Sequence, residues 1–388
     1  MPRKTWTLAD QQQDIYVDQI AIEPENVGGQ ASGYSVTKRV LSAGVRRGVE
    51  VVEVNNGRLR FTVVPTRGMG IWRASLGQLQ LGWNSPVKGP VHPSMVRLND
   101  PSGIGWLDGF DELLVRCGLE SNGAPEFNDQ GALVYGLHGK IANIPAHQLE
   151  VSIDGDEGEI SVRGVVDEAR LFGNNLRLES TITTRVGEAS FTVTDVVSNI
   201  SAEENDLELL YHVNFGVPLL EPGAKAVVPV RKLAPRDVVA KGNLPQWDTY
   251  GPPTPGLAEA CFFFELCADA DGNTEAVLHN EAGSQGVAMR HNTQQLPYFI
   301  LWKNMQAQQD GYVTGLEPAI NFPNRKSFEK QHGRVAELKP GEQRTFQLTL
   351  EALPDEAAVA AATARVAQLQ NGTTPQILDR PDPQWSAG

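Results

Sequence analysis

Apolar residues recur along most of this chain at every second position, the period of a strand with one buried face. Val52 and Val54 lead into the turn signal Asn55-Asn56-Gly57, and Leu59, Phe61 and Val63 resume the alternation, which predicts a β-hairpin. Leu176, Leu178 and Ile182, the Gly187-Glu188 turn, then Phe191 and Val193 repeat the theme. Near the end, Leu338-Lys339-Pro340-Gly341-Glu342 is a turn feeding Phe346, Leu348 and Leu350. One stretch has helical spacing instead. Val359, Ala362, Val366 and Leu369 share a face between Pro354-Asp355 and Asn371-Gly372, predicting a helix on the outside of the sheets. Segments 84–105 and 231–257 read as long polar loops, the kind that is commonly functional or mobile. No repeat, low-complexity tract or linker divides the chain. The expected organisation is an irregular segment over 1–34, one β-domain over 35–353, and a helix with an extended tail over 354–388, pinned by Ile377 and Trp385. Sheets of that extent must pack face to face or close on themselves.

The 38 glycines and 25 prolines suit a fold with many tight turns. With 33 basic against 47 acidic side chains the net charge is −14, and no Lys/Arg cluster stands out, which argues against a nucleic-acid partner. No apolar run approaches the roughly 18 residues of a membrane-spanning helix. The opening MPRKTWTLADQQQD lacks the apolar stretch of a secretory signal. Cys117, Cys261 and Cys267 form neither a CxxC pair nor an even set, so a disulfide framework and a zinc site are both disfavoured. These features lead us to expect a cytoplasmic protein.

Three residues stand out as candidates for chemistry. His138 lies in Tyr135-Gly136-Leu137-His138-Gly139, between glycines that permit close approach. His212 is a polar ring inside the apolar run Leu209-Leu210-Tyr211-His212-Val213-Asn214-Phe215-Gly216, where a core histidine satisfied by backbone is an equal alternative. Glu317 sits in Gly315-Leu316-Glu317-Pro318-Ala319-Ile320-Asn321-Phe322-Pro323. Burial there would raise its pKa toward that of a general base; the alternative is a carboxylate paired with Arg325. The spacing of the three is not that of a short metal-ligand motif. Gly68-Met69-Gly70 lacks the third glycine of a dinucleotide loop, and no phosphate-binding loop or nucleophile elbow is present.

Leu137-His138-Gly139, Tyr211-His212-Val213-Asn214-Phe215 and Gly315-Leu316-Glu317-Pro318, in this order, resemble the active-site segments of the aldose 1-epimerase (galactose mutarotase-like) superfamily. Pro65-Thr66-Arg67-Gly68-Met69, Cys117-Gly118-Leu119 and Gly136-Leu137-His138-Gly139-Lys140 resemble a bacterial branch of it. The resemblance implies an all-β fold, a β-supersandwich of large twisted antiparallel sheets with the site on a concave face. It implies Glu317 as base, His212 as acid and His138 as a ligand of the ring or C1 oxygen. Arg116, with Arg67 as second candidate, stands where the family arginine contacts sugar hydroxyls. Asp248 stands in for the sugar-binding aspartate, and the family's Thr-Asn before the second histidine is absent here. Trp302 could stack on a sugar face, a strand tryptophan in the core being an equal alternative; Lys303 could hold a hydroxyl or an anionic group, and Asn214 completes the expected substrate-binding set. The implied activity is isomerisation: interconversion of sugar anomers without metal or organic cofactor, on a small-molecule sugar partner. The alternatives are a non-catalytic carbohydrate-binding protein, or an epimerase, isomerase or lyase acting on a sugar acid, sugar phosphate or keto-sugar.

Overall fold

The structure, a computed structural model, describes residues 3–387. Two large sheets, one of ten strands and one of fourteen, pack face to face, and a two-stranded ribbon (Glu126–Phe127 with Leu133–Tyr135) stands apart. Neighbouring strands are antiparallel almost throughout, the all-β architecture expected. The apolar core fills the space between the sheets, as where Phe61 of the larger meets Phe191 of the smaller at 4.9 Å between ring centroids. The first hairpin pairs Glu50–Asn55 with Leu59–Val64. Its turn is closed by Asn56, whose Oδ1 accepts from the backbone N–H of Arg58 and Leu59 while Gly57 takes the left-handed φ of +88°.

The amino-terminal segment is not irregular. Arg3–Asp10 forms a strand that pairs with Gln148–Asp154 near one edge of the smaller sheet; residues 1 and 2 lie outside the described residues. Only Leu8 and Asp10 of this strand are buried, so its alternation is too shallow to read from sequence. Segment 231–257 also holds structure: the strand Val230–Pro235 and the helix Val238–Asn243, whose first turn is capped by Asp237 Oδ1 accepting from Ala240 N at 2.9 Å. Segment 84–105 contains a single turn of 3₁₀ helix at Pro93–Met95. The helix Glu356–Gln370 lies on the outer face of the ten-stranded sheet, with Val359, Ala362 and Val366 against Val277, Ala288 and Leu353. In the tail, Trp385 is buried against Phe322. Ile377 is half exposed, and that part of the tail is held by its backbone, Leu378 N donating to Leu233 O.

Five neighbouring strands of the larger sheet build the functional region: Ala260–Leu266, Tyr298–Asn304, Val313–Ala319, Asn205–Gly216 and Leu114–Leu119. Alternate residues of each point to opposite faces. Leu209, Tyr211, Leu301 and Leu316 enter the core between the sheets, whereas Val115, Leu210, Ile300 and Cys261 belong to a second cluster on the far face.

Candidate active site

That far face carries His212, Glu317 and Trp302. Val213 pairs with Leu316 and His212 with Val115, so the antiparallel register sets His212 directly across from Glu317. Trp302 pairs with Gly315 on the next strand, on the same face as Glu317. His138 arrives from the loop between the sheets' strands, with a left-handed φ of +57° followed by Gly139 at +71°. A Cβ at Gly139 would meet the carbonyl oxygens of Ser121 and Gly118 at 2.1 and 2.4 Å, so only glycine lets the loop settle this deep.

The three residues converge. His212 Nε2 lies 3.1 Å from Glu317 Oε1, and the His138 and His212 rings are 5.6 Å apart and edge-on. They line a cleft of about 270 Å³ walled by Trp106, Phe110 and Trp302, with Arg236 and Glu259 at one side. A larger groove of about 610 Å³ lies under the carboxy-terminal helix, remote from these groups, and its charged residues Glu275, Arg290 and Arg365 are engaged with one another.

Hydrogen bonding settles the imidazole tautomers. His138 Nδ1 is 2.8 Å from the Asn122 carbonyl, which can only accept, so Nδ1 carries the hydrogen and neutral Nε2 is a bare acceptor. Asn214 Nδ2 donates to the carbonyls of Glu112 and His212, which turns its Oδ1 onto His212 Nδ1 at 2.5 Å. His212 Nδ1 therefore also carries its hydrogen, and Nε2 faces Glu317. Although close, Nε2 is not in line with Glu317 Oε1, and that buried oxygen has no hydrogen-bond partner. The Trp106 indole N–H is likewise buried and unpartnered. An unsatisfied carboxyl oxygen and an unsatisfied N–H in one cleft are groups prepared for a ligand.

Burial governs the titration. It pushes Glu317 well above the usual carboxyl range, reinforced by Glu259 and opposed by Arg236. It pushes His212 well below the usual imidazole range, reinforced by His138, and takes His138 down to about 4. Burial thus disfavours both the Glu317 carboxylate and the His212 imidazolium, and favours the pair in its neutral form. Among the described residues no group of three His, Cys, Asp or Glu side chains is arranged to hold a metal ion.

A family described as "Domain of unknown function (DUF4432)" matches residues 46–352. The chain belongs to this family. Among solved structures, a Klebsiella pneumoniae protein provisionally called an aldose 1-epimerase is similar at 33% identity, over 98% of this chain and 99% of that one, with a TM-score of 0.93. A galactose mutarotase-like protein from Clostridium acetobutylicum is similar at 16% identity, 82% and 98% coverage and a TM-score of 0.55. A galactose 1-epimerase from Lactobacillus acidophilus is similar at 10% identity, 87% and 98% coverage and a TM-score of 0.50. The last two likenesses show the fold alone. The curated proteins contain no match to the chain. The chain is a member of the galactose mutarotase-like superfamily, as the sequence resemblance implies.

In this DUF4432 chain the expected sugar-binding residues are mostly elsewhere. Arg116 is one residue out of phase with Val115 and Cys117, and so points into the core between the sheets. There it pairs with Asp195 at 2.5 Å, donates to Ser180 Oγ at 2.7 Å and reaches the carbonyls of Gly68 and Met69. Arg67 is fully buried behind the cleft wall, donating to Glu112 at 2.8 Å, to the Gly109 carbonyl at 2.9 Å and to Asn143 Oδ1. It braces the segment that carries Trp106 and Phe110. Lys303 is out of phase with Trp302 and donates to the carbonyls of Gln246 and Thr249; burial takes it down to about 8. Asp248 stands in that same segment, accepting from Thr249 Oγ1 away from the cleft. Asn214 acts on His212 and does not line the cleft. Trp302 does line it, its ring 5.3 Å from His212.

The residues that sequence reasoning missed are Arg236, Glu259 and Trp106. Glu259 Oε2 accepts from Trp302 Nε1 at 2.6 Å and its Oε1 from Arg236 Nη2 at 2.9 Å, while Arg236 Nε donates to Asp237. Arg236 and Glu259 sit where two paired strands end or begin, and nothing in their local sequence marks them. Trp106 follows Gly105, whose Cβ would strike the Arg97 carbonyl at 1.8 Å. The glycine-flanked tryptophan was the available signal.

Proposed function

We propose that this protein is an aldose 1-epimerase, interconverting the anomers of a small neutral sugar by acid–base ring opening and closure. The observation that carries this reading is the His212–Glu317 pair, which can take one proton and release another without changing its own charge. In the less populated tautomer, with Glu317 as carboxylate and His212 as imidazolium, Glu317 accepts the C1 hydroxyl proton while His212 Nε2–H protonates the ring oxygen. The C1–ring oxygen bond breaks as the C1 carbonyl forms, leaving neutral Glu317 and neutral His212. Rotation about C1–C2 and the reverse transfers close the other anomer. His138 Nε2, an acceptor only, can bond a hydroxyl and not the hydroxyl-free ring oxygen; the unpartnered Trp106 N–H is a matching donor. Acid and base stand on adjacent strands.

The cleft volume is just below the roughly 300–1,000 Å³ typical of ligand pockets, a scale suited to a single sugar unit. The proposed substrate is uncharged because Arg67, Arg116 and Lys303, the basis for considering sugar acids and phosphates, are bonded elsewhere. Arg236, the cation that lines the cleft, is already paired with Asp237 and Glu259. Polarimetry on freshly dissolved single-anomer aldoses tests the reading. Wild type should accelerate mutarotation, and Glu317→Gln and His212→Asn should each lose at least about 10²-fold in turnover with sugar binding retained. Saturable sugar binding with no acceleration by wild type would instead identify a binding protein.

A further inference from the structure

On the far side of Phe110 from the cleft is a second recess, of about 160 Å³, lined by Arg46, Arg73, Lys88, Ser85, Gly89 and Asp111 among others. Arg46 and Arg73 both lie against the Trp72 ring, 5.1 and 4.6 Å from its centroid, and Arg46 Nε donates to the Lys88 carbonyl at 3.2 Å. Among the described residues none of these three cations makes an ion pair. Three unneutralised cations gathered around one hollow, in a chain of net charge −14, repel each other unless an anion joins them.

Asp111 is the fourth charged element. Only 4% exposed, it accepts from Trp72 Nε1 at 3.0 Å through Oδ2, and its Oδ1 has no partner. Gly89 packs so closely on this carboxyl that a Cβ there would fall 2.3 Å from it. Burial and neighbouring Glu112 push Asp111 up to about 8, against the pull of Arg67 and Arg73. Around neutral pH it is thus largely protonated and contributes little to neutralising the cations.

We propose that this recess binds a compact phosphate group, held by Arg46, Arg73 and Lys88, with the unpartnered Asp111 oxygen hydrogen-bonded to one phosphate oxygen. The arginines supply charge-assisted N–H donors, and Asp111 supplies discrimination between oxyanions. When protonated, Asp111 donates to any tetrahedral dianion. When ionised, it can only accept, and hydrogen phosphate still carries a hydrogen to offer whereas sulfate carries none. The site is separate from the cleft, the Phe110 and Trp83 rings (4.9 Å apart) standing between them, and does not depend on the catalytic reading.

Calorimetric titration of the full chain with sodium phosphate and with sodium sulfate, at constant ionic strength, tests this. Well below pH 8 both ions should bind; well above it sulfate binding should vanish while phosphate binding persists. Asp111→Asn should retain sulfate on both sides of that pH, and Arg46→Gln, Arg73→Gln or Lys88→Gln should each weaken both ions about tenfold or more. The three cation variants alter outward-reaching side chains and keep the test open if Asp111→Asn does not fold. Glucose 6-phosphate as competitor separates the sources. Displacement of inorganic phosphate assigns the recess to an ester headgroup, and failure to displace assigns it to the free ion. No saturable binding, binding indifferent to the cation variants, or an identical pH response of the two ions in wild type would overturn the proposal.

Discussion

A Cβ built on Gly315 would stand 2.2 Å from Glu317 Oε1 and 3.2 Å from His212 Cε1, so the His212–Glu317 pair rests on a position that tolerates no side chain. Gly315→Ala must displace Glu317 or His212, and because the backbone there is ordinary strand, the fold should survive. The expected outcome is a loss of at least about 10²-fold in mutarotation with a near-wild-type circular dichroism spectrum, measured on the same sample. The titration of the pair is equally local. On the proposed mechanism activity needs one proton on His212–Glu317, and both limbs of the pH–rate profile belong to the pair. The acid limb is the gain of a second proton, driven downward in pH by the burial that lowers His212; the alkaline limb is loss of the shared proton, driven upward by the burial that raises Glu317. The bell should therefore be broad. Glu259 is one of the charges holding Glu317 high, so Glu259→Gln should move the alkaline limb to lower pH, read from turnover across the pH range.

At the scale of strands, register decides which side chains meet. The period-two pattern made the elements legible, and the mutarotase-like segments pointed to His138, His212 and Glu317, which the structure brings within one cleft. It did not disclose which face of each strand is outward. Arg116 and Lys303 are adjacent in sequence to positions on the cleft side of the sheet, and a single residue of phase carries them into the core or beneath the sheet. Nor could local pattern reveal the link Trp302–Glu259–Arg236, because its members come from strand ends brought together by pairing of Val230–Pro235, Ala260–Leu266 and Tyr298–Asn304. The same holds for Arg67, which acts on the cleft only by bracing the segment behind Phe110.

Across the whole molecule the two sheets are tied by more than apolar contact. Arg116 of the larger sheet meets Asp195 and Ser180 of the smaller, and Tyr211 adds its hydroxyl to Asp195 at 2.7 Å. Arg116→Leu leaves Asp195 buried without its cation, and should cost about 3–5 kcal/mol in denaturant unfolding while leaving sugar affinity of the folded protein unchanged. Stability should also fall with acidification. His291, buried beside Phe299 with neither ring nitrogen partnered, is held down to about 3, so the unfolded chain takes up its proton first. Its contribution is intact above an unfolded-state value of about 6.5 and is lost by roughly 1.4 kcal/mol per pH unit as pH falls toward 3. His291→Leu should flatten that slope in melts taken as a function of pH. Alternation, turn chemistry and three short segments determine, from the sequence alone, an all-β chain of this superfamily and single out His138, His212 and Glu317, because these signals are local. Tertiary structure alone decided that His212 and Glu317 meet across a strand pair with His138 beside them, that the expected arginines are bonded within the fold, and that Arg46, Arg73, Lys88 and Asp111 meet in a second recess. Each of those depends on strand phase and long-range pairing, which no window of neighbouring residues contains.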